Sequence, residues 1–357
     1  MKVLALNSSP RTGGQSKTEL MLNSLIGGMR DAGAEVERVN LREKTVKNCI
    51  GCFTCWTKTP GTCIHKDDMT TDLFPKWLES DLVIYGTPLY HYAMTATLKV
   101  FLERTLPSAQ PFFEIHEGRM FHPLRHKVPA VVVLSVSGMP DKSHFSALSA
   151  HVKYLCASPG RRLLAEIYRP TAESMTSPFL EEKAKDILDA TAQAGRELVR
   201  SMIISSETMG RITQPLADPQ FFAGIANLMW KTCIAEGVTP KEFAEKKMIP
   251  RPDSLESFSL LLPLGINARA VGDKKVVLQF KFSGEVEGSC YFTIEKGTVG
   301  AQSGVWGSPD LTIETPFALW MDIMTGKADG QQMFMEQKYR VNGDLSLLMR
   351  MNRLFGR

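Results

Sequence analysis

The chain has 357 residues, of which 43% are hydrophobic and 22% charged, and its formal net charge at pH 7 is +4. This composition is that of an ordinary globular protein, which excludes a disordered or fibrous chain, and the length predicts two domains or one large one. The lysines and arginines are scattered along the sequence, which argues against a nucleic-acid-binding surface.

The N-terminus, MKVLALNSSPR, has an apolar run that is too short for the hydrophobic region of a signal peptide. The longest apolar run, VPAVVVLSV at 128–136, is far below the roughly 18 residues of a membrane-spanning helix. We therefore expect a soluble, cytoplasmic protein. In such a reducing compartment, clustered cysteines are metal ligands or redox thiols more often than disulfides.

Strand-like and helical patterns alternate through residues 1–205. The predicted strands are 2–9, 81–88, 128–138 and 163–170, and the predicted helices are 16–33, 93–104, 143–156 and 178–202. For the last helix, Ser177 is the predicted N-cap and Pro178 the first helical residue. This alternation predicts an α/β fold with a doubly wound parallel sheet, in which ligands bind at the loops that follow the strands.

The alternation stops after residue 205. An amphipathic helix is predicted at 218–237 and a short helix at 238–247, and MIPRPDS at 248–254 has the prolines of a linker. Four strand-like runs and then two apolar helices follow, which indicates an α+β domain. The predicted organisation is therefore an α/β domain at 1–205, a helical extension and linker at 206–252, and a second domain at 253–357.

Two loops after predicted strands carry the chemistry. NSSPRTGGQSKT at 7–18 places hydroxyls, small residues and an arginine before a helix N-terminus, where backbone N–H groups and the helix dipole favour a phosphate. GTPLYHYAMTATLKVFLERT at 86–105 has the proline, tyrosines and histidine that suit the edge of a flat aromatic ligand. Flavin mononucleotide (FMN) fits both loops.

SSPRTGGQS and GTPLYHYAMTATLKVFLER resemble the phosphate loop and the flavin-ring loop of the flavodoxin-like NAD(P)H-dependent FMN reductases. The resemblance covers roughly residues 1–205 and implies a flavodoxin-like sheet, FMN as cofactor, NAD(P)H as cosubstrate and a homo-oligomer. It implies that the FMN phosphate is held by Ser9, Arg11, Gln15 and Ser16. It implies that the isoalloxazine is lined by Pro88, Leu89, Tyr90, His91, Tyr92, Ser137 and Gly138. Tyr90 and His91 are the flavin-adjacent candidates for a catalytic role, although flavin chemistry itself requires no side-chain acid or base.

Four of the seven cysteines lie in CIGCFTCWTKTPGTC, and they are Cys49, Cys52, Cys55 and Cys63. This compact spacing suits a [4Fe-4S] cluster, zinc would also accept four thiolates, and thiols without metal are a third alternative. The segment CIGCFTCWTKTPGTCIHKDDM resembles that of the iron-sulfur flavoproteins. Asp67 and Asp68 are predicted to cap a helix that begins near Met69. The other three cysteines are isolated in apolar segments and are predicted to be inert.

The C-terminal hundred or so residues resemble a sterol carrier protein domain in the order of PDLTIET, TGKADGQQMFM and KYRVNGDLSLLMRMNRL. The resemblance covers about 253–357 and implies a sheet covered by helices, with an apolar tunnel for a lipid-like ligand. Apolar and adaptable side chains are expected to line that tunnel. They are Phe317, Leu319, Trp320, Ile323, Met324, Met333, Phe334, Met335, Leu347, Leu348 and Met351.

These features together predict an FMN-dependent NAD(P)H oxidoreductase of the quinone or FMN reductase type with a C-terminal lipid-binding module. Its electrons would pass to a quinone-like acceptor or a redox protein. The alternative is a lipid-binding or sensing protein whose flavodoxin-like half is an electron-transfer or assembly scaffold. Steady-state oxidation of NAD(P)H distinguishes the two.

Overall fold

The computed structural model describes residues 1–267 and 274–349 and divides the chain into two units, Met1–Leu216 and Ala217–Arg357. The strands of the first unit are β1 (Lys2–Asn7), β2 (Glu35–Asn40), β3 (Leu82–Pro88), β4 (Glu114–His116), β5 (Arg119–Phe121), β6 (Ala130–Val136) and β7 (Leu163–Arg169). Five of them form a parallel sheet in the order β2-β1-β3-β6-β7. This is the doubly wound order of flavodoxins, so the predicted fold is confirmed.

Helices cover both faces of this sheet. They are α1 (Lys17–Asp31), α2 (Phe74–Glu79), α3 (Ala96–Glu103), α4 (Ser146–Leu155), α5 (Glu181–Ser201) and α6 (Ser206–Thr213). Side chains alternate along β1, so Val3 and Ala5 enter the core under α1 and α5, whereas Leu4 and Leu6 enter the opposite core, which includes residues of α2, α3 and α4. The sheet is therefore buried on both faces.

Two glycines bring α1 and α5 into backbone contact. A Cβ atom at Gly28 would lie 1.7 Å from the carbonyl oxygen of Ala192, and one at Gly195 would lie 2.2 Å from that of Leu25. Any larger residue at either position would push the two helices apart.

Three features of the first unit differ from the sequence-based expectation. Strand β2 was not predicted, and neither was the β4–β5 hairpin. Ser177 was wrongly predicted as the N-cap: a 3-10 turn occupies Pro178–Leu180, the side chain of Ser177 makes no capping hydrogen bond, and α5 begins at Glu181. The proline therefore opens a tight turn ahead of the helix.

The second unit begins with the helices α7 (Pro219–Glu236), α8 (Pro240–Glu245) and α9 (Leu255–Gly265). Its sheet has the order β10-β9-β8-β11-β12, in which only the β8–β11 pair is parallel. These strands are β8 (Val276–Ser283), β9 (Gly288–Glu295), β10 (Thr298–Ser303), β11 (Leu311–Pro316) and β12 (Arg340–Gly343). The remaining helices are α10 (Phe317–Met324), α11 (Gly330–Met335) and α12 (Leu345–Met349). The predicted α+β class is confirmed.

The core of the second unit is aromatic. Phe258 on α9 has its ring centroid 5.1 Å from that of Phe280, 5.0 Å from Phe282 and 5.7 Å from Phe292, in edge-to-face arrangements. Such pairs stabilise a core beyond the area that they bury. Among the described residues of both units, none of the helices is long and apolar enough to cross a membrane.

Candidate functional site

The loops after β1, β3 and β6 meet at one edge of the first sheet, because the three strands are parallel neighbours. Backbone hydrogen bonds join the loops to adjacent strands, from Ser8 N to Gly86 O at 2.8 Å and from Leu89 N to Val136 O at 2.8 Å. The structure thus brings together the three segments for which the sequence predicts flavin contacts.

The first of these loops has buried hydroxyls at its base. Ser16 is the N-cap of α1, and its Oγ accepts a hydrogen bond from Glu19 N at 3.0 Å, while Ser9 Oγ accepts one from Arg11 N at 3.3 Å. Each hydroxyl keeps its own hydrogen for donation. Ser16 therefore caps the helix and still has a donor for an anion.

Charged side chains surround the same loop. Arg11 Nη1 lies 2.5 Å from Glu173 Oε1, and Gln15 is exposed, with its N–H donating to Thr12 O at 3.3 Å. Burial lowers the pKa of Lys17, Glu173 opposes that shift, and Arg11 adds to it. Glu173 was missed by sequence reasoning because it lies 162 positions from Arg11 and belongs to no local motif.

The loop after β3 forms a tight turn at Tyr90–Ala93. Tyr90 N donates to Ala93 O at 2.9 Å and Ala93 N donates to Tyr90 O at 3.0 Å, while His91 and Tyr92 have φ values of 45° and 64°. Two left-handed residues in succession are typical of a type I′ turn, and left-handed residues other than glycine cluster at functional sites. Pro88 is buried, Leu89 is half-buried, and the three aromatic side chains of the turn are exposed.

The loop after β6 passes close to the Arg11–Glu173 ion pair. Ser137 is buried, its N–H donates to Arg169 O at 3.0 Å and its Oγ accepts from Met139 N at 3.0 Å. A Cβ atom at Gly138 would lie 3.7 Å from Glu173 Cγ, so this loop passes close to the partner of Arg11. The roles of all these residues in binding FMN remain predictions.

The four clustered cysteines line a single open pocket. Burial raises the pKa of Cys55, and the nearby Cys63, Cys52 and Cys49 raise it further, because neighbouring thiolates repel one another. Hydrogen bonds from Thr54 lower the pKa of the exposed Cys52. In residues 1–267 and 274–349, no group of three or more His, Cys, Asp or Glu side chains meets the geometry of a metal site.

Two further side chains line the same pocket and carry buried nitrogen atoms. His65 Nε2 and Arg104 Nε have no hydrogen-bond partner in the described part of the chain. Buried polar atoms are normally paired, so these two are available to a group in the pocket. Four thiols around one space are the ligand type of an iron-sulfur cluster, and the two nitrogen atoms beside them have no hydrogen-bond partner among the described residues. The chemistry of the pocket lining therefore suits a thiolate-bound cluster. Neither residue was identified from the sequence.

Arg104, which lines this pocket, forms a buried ion pair with Asp67. Arg104 Nη1 and Nη2 donate to Asp67 Oδ2 and Oδ1 at 2.7 and 3.0 Å, and both side chains are only 1% exposed. Burial alone would raise the pKa of Asp67, but hydrogen bonds from Arg104, Lys47 N and Thr70 outweigh it and lower the pKa to about 2. Asp67 also accepts from Thr70 N, as predicted for a cap. Asp68 occupies the N-cap position of the helical turn Met69–Leu73, but its side chain makes no capping hydrogen bond and accepts from Thr45 N instead.

The other three cysteines are not among the residues that line this pocket. Cys233 and Cys290 are buried and Cys156 is half-buried. Burial raises the pKa of Cys156 and of Cys290 to about 11 in each case, which keeps both thiols protonated near neutral pH. The prediction that they are inert agrees with this environment.

The apolar side chains expected in a lipid tunnel fall into different environments. Phe317 and Trp320 are buried in the aromatic core, whereas Met335 is exposed. A further set is partly buried against that core: Leu319, Ile323, Met324, Met333 and Leu347. The side chain of Leu348 and the whole of Met351 lie outside the described residues.

Curated relatives match part of the chain. The chain is 37% identical over 107 residues to an iron-sulfur flavoprotein of Archaeoglobus fulgidus, an alignment covering 30% of this chain and 46% of that protein. It is 31% identical over 137 residues to an iron-sulfur flavoprotein of Methanocaldococcus jannaschii, covering 38% and 63%. The chain thus spans 46% of the length of the first relative and 63% of the length of the second.

Solved structures align with a larger share of the chain than the curated relatives do. One is an FMN-dependent NADH-azoreductase from Bacillus anthracis in complex with FMN, with 14% identity, coverage of 56% of this chain and 99% of that one, and a TM-score of 0.43. Another is an NAD(P)H:quinone oxidoreductase from Methanothermobacter marburgensis, with 15% identity, coverage of 56% and 96%, and a TM-score of 0.42.

Two families match separate parts of the chain. Residues 1–157 match the NADPH-dependent FMN reductase family, and residues 268–356 match the SCP-2 sterol transfer family. The first match contains the phosphate loop, the cysteine segment and the flavin-ring loop. The chain therefore has one segment that is similar to the NADPH-dependent FMN reductase family and a separate segment that is similar to the SCP-2 sterol transfer family.

Proposed function

We propose that the first unit is an FMN-dependent NAD(P)H oxidoreductase. The observation that carries this proposal is the meeting of the three loops at the carboxyl edge of the flavodoxin-like sheet, with a helix N-terminus at the first and exposed aromatic side chains at the second. Ligands of open α/β sheets bind at such an edge. The match to the NADPH-dependent FMN reductase family supports the same cofactor.

Each group in the site has a defined task in this proposal. Ser9, Ser16 and Arg11 would hold the phosphate, because a helix N-terminus with a nearby guanidinium favours an anion. The turn at Tyr90–Ala93 would cover the isoalloxazine edge and exclude water there. When bound, FMN would accept a hydride from NAD(P)H and deliver electrons to a quinone-like acceptor or a redox protein.

We propose further that the four clustered cysteines hold a [4Fe-4S] cluster. Their arrangement around one pocket and the two unpaired nitrogen atoms beside it support this assignment, as do the names of the curated relatives. A cluster supplies one-electron chemistry, so the two electrons of a hydride could leave the flavin one at a time. Zinc or metal-free thiols are the outcomes that metal analysis would reveal.

The test of the oxidoreductase proposal is a pair of measurements on the purified full-length chain reconstituted with FMN. Anaerobic addition of NADPH or NADH should bleach the flavin absorbance, and a short-chain quinone should then sustain steady-state oxidation of the nucleotide. A chain that binds FMN but turns over neither nucleotide with any acceptor would support the alternative, in which this unit is an electron-transfer or assembly scaffold.

For the second unit we propose the binding of a lipid-like ligand, which the match to the SCP-2 sterol transfer family supports. Because both units belong to one chain, an acceptor with an apolar tail would be concentrated near the flavin, to roughly millimolar levels for a short tether. A chain ending at Leu216, where the units divide, should keep its rate with a tailless quinone and show a raised KM for a prenylated one. Equal behaviour of both chains with both quinones would contradict this coupling.

A further inference from the structure

Arg104 is a buried arginine whose hydrogen bonds can be counted completely. A guanidinium has five N–H groups. In this structure Nη1 donates to Lys47 O at 2.6 Å and to Asp67 Oδ2 at 2.7 Å, while Nη2 donates to Asp67 Oδ1 at 3.0 Å and to Thr70 Oγ1 at 3.1 Å. These four bonds use every hydrogen of the two terminal nitrogen atoms, so the Nε–H is the remaining donor.

The remaining donor is beside the cysteines. Arg104 Nε is buried and has no partner among the described residues, and Arg104, which is 2% exposed, lines the pocket that contains the four thiols. Leaving a buried donor unpaired is unfavourable, so this N–H is available to a group bound in the pocket.

We propose that Arg104 donates its Nε–H to a ligating cysteine sulfur of the cluster and thereby raises the reduction potential of that cluster. This inference rests on the proposed cluster. Reduction adds one negative charge to the cluster, and both a hydrogen bond to a ligating sulfur and a nearby cation stabilise the more negative state. The effect is large at this position because both the arginine and its partner are shielded from water.

Asp67 acts through Arg104 as a positioning residue. Its two oxygen atoms bind the two terminal nitrogen atoms in a fork, which fixes the plane of the guanidinium and turns the Nε edge away from the carboxylate. A lysine in place of Arg104 would keep the charge but would have neither this fork nor the Nε donor. The two properties of the arginine can therefore be separated by substitution.

The experiment compares the midpoint potential of the reconstituted cluster among full-length variants, by anaerobic titration with dithionite and mediators followed by absorbance and electron paramagnetic resonance. R104Q alone would leave the buried Asp67 carboxylate without its cation, so the double variant D67N/R104Q replaces the pair with two neutral side chains. R104K tests the charge without the donor. K66Q, which removes an exposed lysine three residues after Cys63, is the matched control.

We expect the midpoint potential to become more negative in D67N/R104Q, to shift less in R104K and to stay unchanged in K66Q, where water screens the lost charge. An unchanged potential in both Arg104 variants that retain wild-type iron content would overturn the inference while leaving the cluster proposal intact. A wild-type chain that takes up no iron on anaerobic reconstitution would overturn both, and the iron and sulfide analysis that precedes the titration distinguishes these results.

Discussion

Arg11 Nη1 lies 2.5 Å from Glu173 Oε1, so the arginine that the sequence assigns to a phosphate has a carboxylate partner in this structure. The two side chains are 47% and 51% exposed, and exposed ion pairs contribute only about 0–1 kcal/mol. A phosphate dianion held by the helix N-terminus as well as by Arg11 would therefore compete successfully for the guanidinium. Glu173 then becomes an uncompensated negative charge next to a bound anion.

Replacing Arg11 with Ala should weaken FMN far more than riboflavin, which lacks the phosphate. A hydrogen bond to a charged group contributes about 1.5–3 kcal/mol, so we expect a loss of roughly 10- to 100-fold in FMN affinity. Titration of the apoprotein with each flavin, followed by flavin fluorescence, measures the difference. R200A removes an exposed arginine of α5 and serves as the control. Equal losses for FMN and riboflavin would show that Arg11 does not contact the phosphate.

Replacing Glu173 with Gln should have the opposite effect. Removing the carboxylate abolishes its repulsion of the phosphate and frees Arg11, so FMN should bind several-fold more tightly, on the order of 1 kcal/mol. Riboflavin affinity should stay unchanged. The gain should shrink as salt is raised, because exposed charges are screened. Weaker FMN binding in this variant would mean that Glu173 instead orients Arg11 for its ligand.

Replacing Cys52 with Ser should abolish the iron-sulfur cluster and leave FMN in place, because the flavin loops follow other strands. Protein prepared anaerobically should contain about four iron and four sulfide per chain before the substitution and none after it. The control is C156S, which changes a cysteine outside the pocket. Iron content that survives in C52S, or that is lost equally in C156S, would contradict the assignment of ligands.

Replacing Gly28 with Ala should severely destabilise the first unit. The new Cβ would overlap the carbonyl oxygen of Ala192, and backbone on both sides resists the shift, so we expect a loss of at least about 3 kcal/mol. At Gly27, one position earlier in α1, an added Cβ would meet no atom of the described residues within 4 Å. G27A should therefore be neutral or stabilise by up to about 1 kcal/mol through helix propensity. Chemical unfolding of the two variants provides the comparison.

The Asp67–Arg104 pair should contribute to stability in a pH-dependent way. The pKa of Asp67 is lowered to about 2, so its charged form stabilises the folded state above its ordinary pKa, and that contribution is lost as pH falls from about 4 to about 2. D67N should cost roughly 3–5 kcal/mol at pH 7, and its difference from wild type should shrink over this window.

The measurement for this pH prediction is the free energy of unfolding of wild type and D67N between pH 7 and pH 2. The control is D189N, which removes a carboxylate that pairs with Lys185 on the surface of α5. This substitution should lower the free energy of unfolding by less than about 1 kcal/mol over the whole pH range. A constant difference between D67N and wild type across the pH range would show that the charge of Asp67 is not what stabilises the fold.

Sequence reasoning located the strands that are buried on both faces, because strands such as β6 are continuous apolar runs. It missed β2, an edge strand in which only Val36 and Val39 are buried among charged neighbours, so the strand has no apolar run to detect. It also located the loops after β1 and β3, which meet at one edge of the sheet, and the cysteine segment, whereas their binding roles stay predictions. Glu173 and Arg104 could not be predicted, because the tertiary fold brings them from distant positions to those segments.

Helix α3 connects the two proposed redox sites. It begins after the turn at Tyr90–Ala93, where Thr95, its N-cap, donates its N–H to Thr87 Oγ1 at 3.0 Å. It ends at Arg104, which pairs with Asp67 and lines the pocket of the four cysteines. At about 1.5 Å per residue, its eight residues span roughly 12 Å. A helix rather than a loop thus holds the turn and Arg104 at a fixed spacing, and one inserted residue would rotate the far end of the helix by about 100°.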